Sequence, residues 1–339
     1  KKLVDQYYQQ GWNTLYPVNT YTQSTEDDKS WEGKPFGTAA KAFPYDMKAF
    51  IGKNYGALAS MPQGNTLTIE LAKASIAGEQ LGADNITDFL AISFSSPDYI
   101  GHSFGPNSIE EEDSYLRLDK ELGQFLDFLD SKVGKGQYLV FLSADHGVAH
   151  VPGFLKEHHI PAGSNDMIAL SRQLNGKLKE KFGKDNLIVS TDNYQLYLNH
   201  PAIDSAGLNI DDIKKWLINT VSAEPTVARA FALDKLMQTT LNTKQKDMLA
   251  NGYYPRRSGD IQVILQPEIL EGFVTAGTTH GLWNPYDAHI PLVWYGWGIK
   301  PGKTNREVYM TDIAPTVAAL LHIQMPSGCV GKPIEEVMK

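Results

Sequence analysis

The chain has 339 residues, a net charge of −8, 42% hydrophobic and 21% charged residues, and one cysteine. Such a length and mix describe a globular protein able to fill one large α/β domain or two smaller ones. The acidic balance argues against a nucleic-acid partner, whose phosphates need basic side chains opposite them. The lone Cys329 excludes an internal disulfide or a cysteine-rich zinc module, and reads as apolar filler.

No apolar run approaches the roughly 18 residues of a bilayer span, so no membrane partner is expected. Lys1–Gln6 lacks the apolar core of a signal peptide, although a removed signal would leave no trace. The first fifty residues, with Tyr7, Tyr8, Trp12, Tyr16, Tyr21 and Trp31, are too aromatic for a disordered tail and read as a packed, irregular excursion. A helix is expected from Asn65 to Leu81.

Two apolar runs follow, 89–94 and 138–142, separated by a helix, and together they suggest a parallel βαβ unit. Ser108 and Glu111 form a capping box for the intervening helix, and Gly134 and Gly136 end it. The acids Glu110, Glu111, Glu112 and Asp113 sit in its first turn, where they suit the macrodipole and are read as solvated. Residues 151–258 then read as an inserted α/β subdomain, with helices over 166–182 and 209–221 and strands over 187–198 and 226–233. His150, His158, His159 and His200 fall there and are read as turn or surface residues. From Gly259 the core resumes with strands at 261–265 and 292–295, and a last helix begins at 311–317.

Each of the two early apolar runs leads into a carboxylate and an imidazole. Asp98 and His102 stand four apart, so a helix or a tight turn brings both to one ion. Asp145 and His146 are adjacent, and a chain turning at a strand end can aim both into the crevice beyond the sheet, where α/β proteins bind ligands. Carboxylate oxygen with imidazole nitrogen suits Zn²⁺ best, with Mn²⁺ or Fe as alternatives and Ca²⁺ or Mg²⁺ less apt. His280, between Thr279 and Gly281 just before a strand, is poised on a tight loop to join them.

In this order and at these separations, Asp98-x-x-x-His102, Asp145-His146-Gly147 and Thr279-His280-Gly281 resemble the alkaline phosphatase superfamily, in its nucleotide pyrophosphatase/phosphodiesterase branch. The stretch Ser93–Ser108, followed by Tyr115-x-Arg117-x-Asp119, is most similar to bacterial alkaline phosphatases that use a threonine nucleophile. Thr311-Asp312-Ile313-Ala314-Pro315-Thr316 is also typical of the superfamily.

The resemblance implies a three-layer α/β sandwich with a mostly parallel central sheet and an inserted cap subdomain. On that plan residues 1–150 and 259–339 are core, 1–60 an excursion or part of the cap, and 151–258 the insertion. It implies two Zn²⁺. Asp98, His102 and His280 would hold the first. Asp145 and His146 would hold the second, with an aspartate and the nucleophilic threonine from an earlier segment that nothing in this chain matches. The chain is therefore expected to be the C-terminal part of a longer enzyme, with no nucleophile of its own and the N-terminal segment of the same protein as its partner. The implied activity is hydrolysis of small phosphate monoesters through a phosphothreonine, in a periplasmic or secreted protein. The alternatives are a phosphodiesterase or nucleotide pyrophosphatase on the same scaffold, or a zinc-binding fragment without turnover.

Overall fold

A computed structural model describes residues 1–37, 40–272 and 275–338. The opening fifty residues are packed, as their aromatic content requires. Helix α1 (Lys2–Gln10) leads to Trp12, which pairs with Tyr45 through reciprocal backbone hydrogen bonds of 3.0 and 2.9 Å. Trp12, Phe36, Phe43, Tyr45 and Phe104 then pack edge-to-face or tilted into one aromatic core. Helix α2 (Gln63–Gly78) follows.

Residues 89–94 form no ladder, which corrects the expected βαβ unit. Their hydrophobicity is real, but a strand needs hydrogen-bonding neighbours, and the described residues place none beside them; Phe89 is left 65% exposed. The chain instead enters α3 (Ser96–Phe104), with Pro97 in its first turn, and then α4 (Ile109–Leu129). Ser108 caps α4 by accepting from the Glu111 amide at 3.2 Å.

Of the four first-turn acids of α4, Glu112 stays partly exposed and the other three are not solvated. Glu110, Glu111 and Asp113 are buried. Asp113 accepts from the Trp12 indole at 2.7 Å, the Leu15 amide at 2.6 Å, the Tyr21 hydroxyl and Arg117 Nε at 2.7 Å. The opening excursion folds over this turn and takes the water's place.

Strand β1 (Leu139–Ser143) pairs antiparallel with β8 (Leu292–Gly296). Between them lie α5 (Pro152–Glu157), β2 (Gly163–Asn165), α6 (Met167–Phe182), β3 (Ile188–Asp192), β4 (Gln195–Leu198), α7 (His200–Ser205), α8 (Ile210–Val221), β5 (Val227–Ala232), α9 (Thr243–Gly252), β6 (Ile261–Leu265), β7 (Ile269–Glu271) and α10 (Pro285–Ala288). The single strand expected over 187–198 is a hairpin, reversed where Asn193 and Tyr194 adopt φ of 48° and 59°.

Strand β6 was expected to reopen the core, yet it pairs with β4 and β5 in the antiparallel sheet β3-β4-β6-β5, and β7 runs parallel to β2. The sheet of the middle segment therefore continues past residue 258. Leu174, Leu178, Leu196, Ile213, Leu217, Ile261 and Val263 fill its core, all essentially inaccessible. The α/β class stands, and the described pairings are mixed, with β2–β7 the parallel one among them. Helices α11 (Ile313–Leu320) and α12 (Glu335–Met338) close the order, and no described helix is long and apolar enough to cross a membrane.

Candidate metal centre

Helix α3 carries Asp98 in its first turn and His102 in its last, so the two share a face, with His102 Nε2 3.3 Å from Asp98 Oδ1. Just beyond β1 the chain turns and brings His146 Nε2 to 3.7 Å from that same oxygen. The loop before α10 brings His280 Nε2 to 3.7 Å from it as well. Three imidazole nitrogens from three separate segments therefore face one carboxylate oxygen. Asp145 Oδ2 lies 3.6 Å from His146 Nε2, with its side chain 87% exposed.

The other ring nitrogens decide what these contacts are. His102 Nδ1 lies 2.8 Å from the Thr278 carbonyl, and His146 Nδ1 lies 2.8 Å from the Gly147 carbonyl. A carbonyl only accepts, so each Nδ1 carries the hydrogen, and a neutral ring then turns the Nε2 lone pair towards Asp98. His280 is held below the usual histidine range by burial and then by His146 and His102 beside it, which favours its neutral form. The His146 and His280 rings stack at 3.3 Å between centroids. Lone pairs and a carboxylate that converge without a cation repel each other. With a cation among them, the same arrangement is a ligand set oriented by backbone carbonyls, as metal-binding histidines are.

Asp287 joins two of the segments. Its carboxylate accepts from the Gly281 and Leu282 amides, both at 3.0 Å, and its carbonyl accepts from the Gly147 amide at 2.7 Å. One residue thus fixes the backbone after both His146 and His280. Gly147 is required there, because a side chain would collide with the Tyr286 carbonyl. Thr278 fixes the third segment: its amide donates to the His102 carbonyl at 2.9 Å and its hydroxyl donates to Ala149 O at 2.8 Å. Tyr194, at the hairpin turn of the middle segment, places its hydroxyl 3.5 Å from the His280 carbonyl.

The structure brings the five residues anticipated from sequence into one neighbourhood. Asp98, His146 and His280 have ligand atoms within 4.8 Å of one another, and these come from both of the expected zinc sites. His102 joins through Asp98, and Asp145 through His146. His150 bonds Asn107 at 2.7 Å, His158 the Phe154 carbonyl at 2.8 Å and His200 Asp260 at 2.9 Å, each apart from this group. Thr278 and Asp287 were not singled out from sequence, since each acts on a segment far from it along the chain.

The model of the type I phosphodiesterase / nucleotide pyrophosphatase family matches residues 2–271. The chain belongs to that family. Within the family it is similar to alkaline phosphatase PafA of Elizabethkingia meningoseptica, 47% identical over 341 residues that take in 100% of this chain and 62% of that protein. Alkaline phosphatase PhoV of Synechococcus elongatus is 47% identical over 339 residues, covering 100% of this chain and 61% of PhoV. A crystal structure of wild-type PafA superimposes with a TM-score of 0.96 at 47% identity, over 99% of this chain and 64% of that one. The phosphodiesterase-family chain thus has the PafA fold and spans less than two thirds of the length of these relatives.

Proposed function

We propose that this chain supplies the zinc-binding part of a phosphate monoesterase. The observation that carries the reading is the convergence of the His102, His146 and His280 Nε2 atoms on Asp98 Oδ1, with two of the rings oriented by backbone carbonyls. An oxygen and nitrogen donor set of this kind fits Zn²⁺. Asp98, His102 and His280 would hold one ion. Asp145 and His146 would hold a second, completed by an aspartate and a nucleophilic threonine from outside these residues. When bound, zinc supplies Lewis-acid charge to the phosphoryl, entering and leaving oxygens. The chain's own part is to keep its imidazoles aimed, through Thr278, Gly147 and Asp287.

Support for the outside contribution comes from exposed apolar surface beside the site. Phe89, Leu142, Val293, Tyr295 and Trp297 lie open on residues 89–94 and around the β1–β8 ribbon, where further protein would cover them. The middle segment, starting near residue 151, acts in this reading as a cap over the crevice, with Tyr194 against the His280 loop as its contact. The resemblance to alkaline phosphatases also carries the expectation of a secreted or periplasmic enzyme. Diester hydrolysis is the second reading, favoured by the family to which the chain belongs.

The test is hydrolysis of p-nitrophenyl phosphate and of its bis-ester, with and without added Zn²⁺, by this chain and by a form extended upstream. Zinc-dependent monoester turnover in the extended form alone is the expected result. Full turnover by the short chain would overturn the assignment of the nucleophile, and faster turnover of the bis-ester would select the second reading.

A further inference from the structure

A second group of carboxylates lies away from the histidines, where the opening excursion meets α4. Asp27, Glu32 and Glu110 place one oxygen each within 4.8 Å of one another. Glu32 is 4% exposed and Glu110 fully buried. Each leaves one oxygen, Glu32 Oε1 and Glu110 Oε2, buried without a hydrogen bond. Their other oxygens are used: Glu32 accepts from the Lys29 amide at 2.9 Å, and Glu110 from the Tyr45 hydroxyl at 2.5 Å. Asp27 accepts from its neighbour Asp28 at 2.8 Å and from the Phe43 amide at 2.9 Å.

Buried carboxyl oxygens are normally matched, and two left open in one cluster call for a ligand. Among the described residues no ion pair neutralises the group, and the nearby Lys29 is 3.5 Å from Glu157 instead. The cluster offers oxygen alone, without imidazole or thiolate, which is the donor set of a hard divalent cation. Its burial leaves little room for the water shell that Mg²⁺ retains, so Ca²⁺ fits better.

We propose that Asp27, Glu32 and Glu110 form a structural Ca²⁺ site that clamps the opening excursion onto the first turn of α4. The clamp lies one helix away from the metal centre: α4 packs on α3, and Gly33, next to Glu32, donates to Ser103 O at 2.6 Å, the residue following His102. The competing account is that both buried acids are simply protonated, since burial raises each to about 8.

The test uses full-length protein dialysed free of divalent cations and reloaded with Zn²⁺ alone, then titrated with CaCl₂ by calorimetry and thermal melting. One added ion per chain is expected, and Tm should rise by about 2–4 °C once Ca²⁺ is roughly 100-fold above its Kd. Both effects should vanish in Glu32→Gln and Glu110→Gln and persist in His280→Ala. No binding heat and no Tm shift in the parent at about 10 mM Ca²⁺, well above the range of weak structural sites, would leave a protonated acid pair. An undiminished shift in both Gln variants would place the ion elsewhere. Either result overturns the proposal, and the parent titration stands even if a variant fails to fold.

Discussion

Replacing Asp287 by alanine tests whether the metal centre is held by the loops behind it. The carboxylate accepts from two amides, Gly281 and Leu282, both at 3.0 Å. Hydrogen bonds to a charged group contribute about 1.5–3 kcal/mol each. Gly281 is exposed, so water can replace part of that, and a loss of about 2–3 kcal/mol is expected for the pair. The consequence should concentrate on the metal. His280 sits directly before the two released amides, and loss of an orienting partner typically lowers metal affinity by about 10–100-fold. Asp287→Asn keeps an acceptor oxygen and should lose less. Zinc competition against a chromogenic chelator gives the affinity, and a melt of the metal-free protein gives the stability. If Asp287→Ala loses stability yet binds zinc within about twofold of the parent, well short of that range, the residue merely supports the fold, and its role behind His280 is refuted.

His280→Ala should lower bound zinc by one ion per full-length chain, read by elemental analysis, and equal content in mutant and parent would remove His280 from the ligand set. Asp113→Ala should cost about 3–5 kcal/mol in denaturant titration, because it strips the acceptor shared by Trp12, Leu15, Tyr21 and Arg117 from a fully buried position. Glu32 and Glu110 sit at about 8 against an ordinary 4.5, raised first by burial, with Asp27 and Asp28 adding to the shift and Lys29 and Tyr45 opposing it. A raised folded-state value means that the folded protein holds protons the unfolded chain has released. Without calcium, stability should therefore fall as the pH rises from about 4.5 to about 8 and level off beyond, and Glu110→Gln should flatten that slope. A stability that climbs across this window would contradict the assignment.

Local signals served the sequence reading well. Ser108, Asp166 and Asn209 were legible helix starts, and each accepts from a first-turn amide in the structure. The histidine motifs were legible for a similar reason, since Asp98 and His102 meet through helix spacing alone. Long-range partners were not legible. An acidic first turn looks the same in water or under Trp12 and Tyr45, and only the fold of the excursion distinguishes the two. Residues 89–94 have a strand's composition, but composition does not say whether a neighbour pairs with them. The hairpin at 193–194 was hidden because Tyr194, unlike Asn193, is a poor signal of positive φ. Asp287 acts on Gly147 from 140 positions away in the numbering, through backbone atoms that carry no motif.

Zinc binding by the residues around Asp98, for phosphate ester hydrolysis, is the function proposed for this chain. Its most direct test is a crystal structure of the full-length protein with anomalous data collected on both sides of the zinc edge. Two zinc peaks are expected, one ligated by Asp98, His102 and His280 and one by Asp145 and His146. No zinc signal there, or hydrogen-bonded imidazoles around Asp98 with the metal bound elsewhere, would contradict the account.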